Sequence, residues 1–144
     1  MRFSRALLLF VPLGASCVMD QSFQVGQEWS YEARAQDVNS TVLVGALEDH
    51  PKLGRIVHIA VTNVRVRNPN AEGGYSTVIG HIPMSQSALR DSVTELLASG
   101  QQADQVAEGL ETWREAQGGV FTVSVSEAVQ YIEDTLVGGE PVRE

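Results

Sequence analysis

Three histidines, His50, His58 and His81, are the side chains best suited to proton chemistry near neutral pH. They match neither H-x3-5-H nor H-E-x-x-H, so no metal ligand is assigned. His58 lies on a β-patterned stretch and shares a face with Ile56, Ala60 and Thr62. Its ordinary role there is a hydrogen-bonded histidine inside or beside a sheet, which leaves it a weak candidate for function. His81 stands before Ile82-Pro83 at the end of a Gly- and Asn-rich stretch, just ahead of a helix start. Loops held by rigid elements carry function disproportionately. His81, with Glu72 and Tyr75 of the same stretch, is therefore the candidate binding loop, and a turn-stabilising hydrogen bond is the competing role. His50 sits in a proline-containing turn and is expected to be exposed. No G-x-S-x-G elbow occurs, and no serine is placed against a histidine. The carboxylate pairs Glu48-Asp49 and Glu133-Asp134 read as solvated, one in a turn and one on a helix surface. Glu72-Gly73-Gly74 lacks the strand–turn–helix setting of a phosphate loop. No catalytic residue, metal or cofactor is assigned.

The sequence has 144 residues, 43% of them apolar and 19% charged, with a net charge of -8. That is the composition of a globular domain. Lys52 is the one lysine, and Arg65 with Arg67 is the nearest approach to a basic patch. Nucleic acid is thus excluded as a partner, because its binding needs clustered cations.

The single cysteine, Cys17, follows Arg2 and Arg5, the apolar run Ala6–Leu13, and the small residues Gly14, Ala15 and Ser16. Charge, apolar run and small residues in that order mark a secretory signal. As a helix the run would span about 12 to 16 Å, short of a bilayer core. The segment before Cys17 resembles a bacterial lipobox, in which the cysteine is lipidated and becomes the new N-terminus. Gly14 departs from that pattern, which prefers leucine, and cleavage to a secreted form is the alternative. Removing residues 1–17 takes Arg2 and Arg5, so ten positives become eight against 18 negatives, a net of -10. The expected organisation is a signal peptide over 1–17, a tether over 18–27, one domain over 28–137 and a tail over 138–144.

Several elements must position the candidate residues. Alternation over 29–34 predicts a first strand, and the β-branched run 40–47 a second. Residues 55–67 predict a third, with a change of phase: Val57, Ile59 and Val61 share one face, whereas Val64 and Val66 fall on the other. A bulge near Thr62-Asn63 would restore the register; two partly covered faces would also account for it. Residues 68–83 read as a long connection. From a Ser85 N-cap a helix is predicted through Leu89, Val93, Leu96 and Leu97, ending at Gly100. A second helix is predicted over 103–116 with a Val106–Leu110–Trp113 seam, then a strand over 120–125. A capping box at Ser124–Glu127 opens a last helix. The order β-β-β-α-α-β-α implies an α+β fold of two layers, an antiparallel sheet of about four strands with helices packed on one face.

The stretches Gly26–Tyr31, Ile56–Ile59, Gly80–Pro83 and Val120–Val123 resemble a family of small, uncharacterised bacterial proteins. The resemblance implies the domain's limits and no activity. The expected function is a non-enzymatic exported protein of the bacterial cell envelope, lipid-anchored at Cys17 or else periplasmic or secreted. It would bind a protein or cell-wall partner, as an inhibitor or immunity protein does. The alternatives are a small enzyme using His58 or His81, and an uncleaved cytosolic protein.

Overall fold

The structure, a computed structural model, describes residues 22–138. The expected signal segment with Cys17, residues 18–21 of the expected tether and residues 139–144 of the expected tail lie outside the described residues. The elements in order are β1 (Glu28–Tyr31), β2 (Thr41–His50), β3 (Gly54–Arg67), β4 (Tyr75–Ser85), α1 (Gln86–Ser92), β5 (Val93–Ala98), α2 (Gln105–Ala116) and α3 (Val125–Gly138). The strands form one antiparallel sheet in the order β4-β3-β2-β1-β5. This is an α+β protein: the sheet and helices α1 and α3 form two layers around the main core, while α2 lies on the other face of the sheet, not on the one face expected for all the helices.

The main core joins Val57, Ile59 and Val61 of β3 and Ile82 and Met84 of β4 to Leu89 of α1 and Val125, Ala128 and Val129 of α3. The phase change in β3 is resolved by a bulge. Asn63 takes a left-handed conformation (φ 56°), one that asparagine tolerates better than most residues. The pairing shifts between Thr62 and Val66. Val64 and Val66 thereby join the face of Val57, Ile59 and Val61. The opposite face carries a smaller cluster of Leu43, Ala60 and Val106, over which α2 lies. Only Val106 of the α2 seam is fully buried, with Leu110 and Trp113 partly covered.

Three local expectations are corrected. The connection after β3 is only residues 68–74; beyond it β4 pairs with β3 in a hairpin. The Gly and Asn density is concentrated at the turn, where Gly73 and Gly74 have φ of 81° and 84°, and Tyr75–Ile79 is good strand sequence. The helix from Ser85 stops at Ser92, and Val93–Ala98 becomes the fifth strand by pairing with β1. The first strand therefore has no free edge. Leu96 and Leu97 stay 42% and 48% exposed, so the second half of the apparent helical stripe buries little. Residues 120–125 contain no strand: Phe121 makes one parallel bridge, its N–H bonding Pro83 O and its carbonyl accepting Ser85 N–H, each at 2.9 Å.

Both helix caps form as expected. Ser85 Oγ accepts the Ala88 N–H at 3.2 Å. Ser124 Oγ accepts the Glu127 N–H while Glu127 Oε1 accepts the Ser124 N–H, both at 3.1 Å. The fold also begins earlier than the expected tether allows. Phe23 is buried edge-to-face on Trp29, and the Gly26 N–H bonds Val44 O.

Candidate functional site

His58 and His81 meet. Each lies on the α2 side of the sheet, His58 on β3 and His81 one position from Ile82 on β4. His58 is fully buried and its Nδ1 lies 2.8 Å from His81 Nε2, with the rings stacked. Trp113 of α2 sets its edge against His58 at 4.8 Å between centroids. Glu48 Oε1 is 3.5 Å from His58 Nε2, and Arg114 Nη2 is 3.1 Å from the same oxygen. At 3.5 Å the His58–Glu48 contact is an ion-pair distance, too long for a well-formed hydrogen bond.

Charge fixes the direction of this chain. If His58 donated to His81, its own Nε2 lone pair would face the Glu48 carboxylate. The favourable assignment has His81 Nε2–H donating to His58 Nδ1 and His58 Nε2–H pointing at Glu48, which Arg114 also holds. His58 thus offers different nitrogens to its two neighbours, so the three groups do not converge on one ion. Among the described residues no group of three or more His, Cys, Asp or Glu is arranged around a metal position.

Two glycines let α2 come this close. A Cβ at Gly109 would overlap His81, and one at Gly45 would overlap Val106. Gly45 also occupies a bulge in β2, between Val44 and Ala46. The backbone of α2 therefore rests on the histidine ring itself, as only glycine permits.

Burial, and then the neighbouring His58, push the His81 pKa down to about 4. Burial also depresses His58, against the pull of Glu48. Both rings are neutral at neutral pH, and His81 is a weak base there. A hollow of about 540 Å³ reaches His81 beside Thr112 and Trp113, and another of about 630 Å³ reaches Glu48 beside Arg114 and Lys52. Among the described residues no hydroxyl bonds to either histidine. The cluster binds α2 to the sheet and keeps one imidazole partly open.

The other expected sites fall elsewhere. Glu72 and Tyr75 are at the β3–β4 hairpin tip, about 20 Å along β4 from His81 at ordinary strand rise. Tyr75 takes Arg65 over its ring at 4.2 Å. The candidate loop is thus divided, its tip exposed and its His81 under α2. His50 Nδ1 accepts the N–H groups of Lys52 and Leu53 at 3.0 and 3.1 Å and closes the β2–β3 turn. Asp49 pairs with Arg55 at 2.7 Å.

A second cluster was not anticipated. Glu133, expected on a solvated surface, is 3% exposed, and Asp37 is 1% exposed. Arg34 Nε donates to Asp37 at 2.6 Å, and its Nη1 donates to Glu133 at 3.0 Å. The remaining oxygens accept backbone donors around the β3 bulge: Asp37 Oδ1 takes Arg65 N–H at 2.7 Å and Glu133 Oε2 takes Arg67 N–H at 2.6 Å. Carboxylates thus pair β3 amides at and beyond the bulge, where β2, which ends its pairing at Thr41 opposite Thr62, no longer runs alongside. Burial alone would raise the Glu133 pKa, but the Arg67 N–H and the Arg34 guanidinium outweigh it and hold it below 4.5. One signal was present: Glu133 stands four residues after Val129 and three before Leu136, on the core-facing stripe.

No protein-family model, curated protein or solved structure matches this chain. No helix among the described residues is long and apolar enough to cross a membrane.

Proposed function

We propose that the protein is a non-enzymatic binding module of the bacterial envelope, anchored by lipid at Cys17, that presents the β3–β4 hairpin tip to a protein or cell-wall partner. The supporting observation is the position of that tip relative to the start of the fold. The chain enters through Phe23–Gly26 beside β1. Glu28 faces Leu43 on β2, toward the end where His50 faces Gly54. Arg67 and Tyr75 pair at the other end, on the far edge strand β4. An anchor before Phe23 would leave Glu72 and Tyr75 at the opposite edge and opposite end. The closed His58 and the weakly basic His81 suit a fastening for α2 better than a catalytic pair. The likeness to small uncharacterised bacterial proteins belongs to this reading and adds no activity.

Cross-linking in intact cells followed by pull-down tests the tip. Glu72→Ala with Tyr75→Ala is expected to lower partner recovery by about tenfold, the scale of one aromatic anchor. Unchanged recovery would remove the tip from the interface. Globomycin treatment tests the anchor: unprocessed precursor should accumulate, and normal processing would rule out lipidation. A second reading, a small enzyme, draws on the ordered Glu48–His58–His81 chain. Under it His81→Gln would abolish a cellular phenotype while leaving recovery of the partner intact.

A further inference from the structure

We propose that the end of the sheet carrying Val25, Leu96 and Leu97 is a membrane-docking face, laid against the bilayer by the anchor; this rests on lipidation of Cys17. The length of chain before the fold carries the argument. Five residues, Val18 to Ser22, separate Cys17 from Phe23. Phe23 is buried on Trp29 and cannot leave the core without undoing it. Even fully extended, the link spans roughly 20 Å, so a lipid on Cys17 holds this end of the domain at the membrane surface.

The same end is where apolar side chains stand uncovered. Gly26 bonds Val44 through its N–H and accepts the Gln101 N–H through its carbonyl, both at 2.9 Å. This joins the first residues of the fold to the segment just after β5. Strand β5 runs toward that point, with Ala98 opposite Glu28 and Leu96 opposite Trp29. Leu96 and Leu97 are exposed on this outermost strand, and the neighbouring Val25 is 57% exposed. β5 also lacks the lysine or proline with which edge strands are ordinarily blunted. Aliphatic residues on a strand that faces the acyl–headgroup boundary need no such protection. Within residues 18–31 and 93–101 there is no Lys or Arg, while Asp20, Glu28 and Glu95 are present. The attraction is therefore apolar, and anionic lipid should not strengthen it.

The test uses the full chain acylated at Cys17 in phosphatidylcholine vesicles, with the Cys17→Ser chain in solution as reference. Flotation reads the anchor and amide exchange reads the face. Residues 94–98 are expected to exchange about tenfold more slowly on vesicles than in the Cys17→Ser chain. Leu96→Ser with Leu97→Ser should float and lose that protection. In a separate chain, Leu97→Trp should show blue-shifted emission on vesicles. A chain that floats with residues 94–98 exchanging as in solution overturns the docking face and leaves the anchor standing. A chain that does not float overturns both. Concentration-dependent protection of the Cys17→Ser chain without vesicles would assign the strand to a second copy and overturn the proposal.

Discussion

Replacing Arg34 by methionine keeps much of the side chain's volume and removes its charge. Arg34 is 9% exposed in its side chain, against 0% for Asp37 and 4% for Glu133. It also donates to Gln130 Oε1 at 3.0 Å and to Arg65 O at 3.1 Å. The variant leaves the buried Asp37 carboxylate without its cation and leaves Glu133 only the half-exposed Arg67, whose Nε stands 3.4 Å from Oε2. Removing one partner of such a group costs about 3–5 kcal/mol. Against a total stability of about 5–15 kcal/mol, the melting temperature should fall on the order of 10–20 °C. Urea unfolding followed by circular dichroism measures this directly. Acid supplies an internal control. A carboxylate whose folded pKa is depressed contributes stability above its unfolded pKa and loses it as pH falls through the folded value. For Glu133 that window opens at 4.5 and extends below it. Protonation removes the uncompensated charge, so the deficit of Arg34→Met should shrink when pH is lowered from 7 to 4. Adding Glu133→Gln to Arg34→Met should restore part of the loss at pH 7. A deficit under about 1 kcal/mol, or one equal at pH 7 and pH 4, would refute the clamp as an electrostatic device.

Three further outcomes are expected. The fold should weaken between pH 6.5 and about 4, because His81 protonates in the unfolded chain at 6.5 but in the folded one only near 4. That displacement corresponds to at most about 3.4 kcal/mol, reduced to about 1–2 by the ring's partial contact with solvent; a flat stability profile across that range would contradict the buried pair. Gly45→Ala should cost about 1–3 kcal/mol by overpacking against Val106, and equal melting temperatures would show that α2 does not press on the sheet there. Asn63→Gly should leave stability nearly unchanged while Asn63→Val lowers it by about 1–2 kcal/mol, since a β-branched residue resists φ of 56°; thermal melts of the two decide it.

Some of this was legible in the residues alone. The α+β class, the first three strands, α2 and the Ser85 and Ser124 caps are all signalled within short windows, as is the change of phase near Asn63, whose cause, a bulge, the sheet pairing decides. Local chemistry suffices for them: a hydroxyl bonds an amide three residues on, and alternation reports one buried face. Tertiary structure decided the rest. Val93–Ala98 is a strand because β1 offers it an open ladder, and no window around Leu96 and Leu97 contains that fact. His58 and His81 are 23 residues apart, and only the β3–β4 register together with Gly109 brings the imidazoles into contact under α2. The same holds for Arg34 and Glu133, which are 99 residues apart. Periodicity measures how a segment shares its surface between core and water. It carries no information about which distant segment supplies the missing hydrogen bonds or the opposite charge. Those partners belong to the assembled sheet, and they turned three scattered ionisable residues and one apparently solvated glutamate into two buried networks.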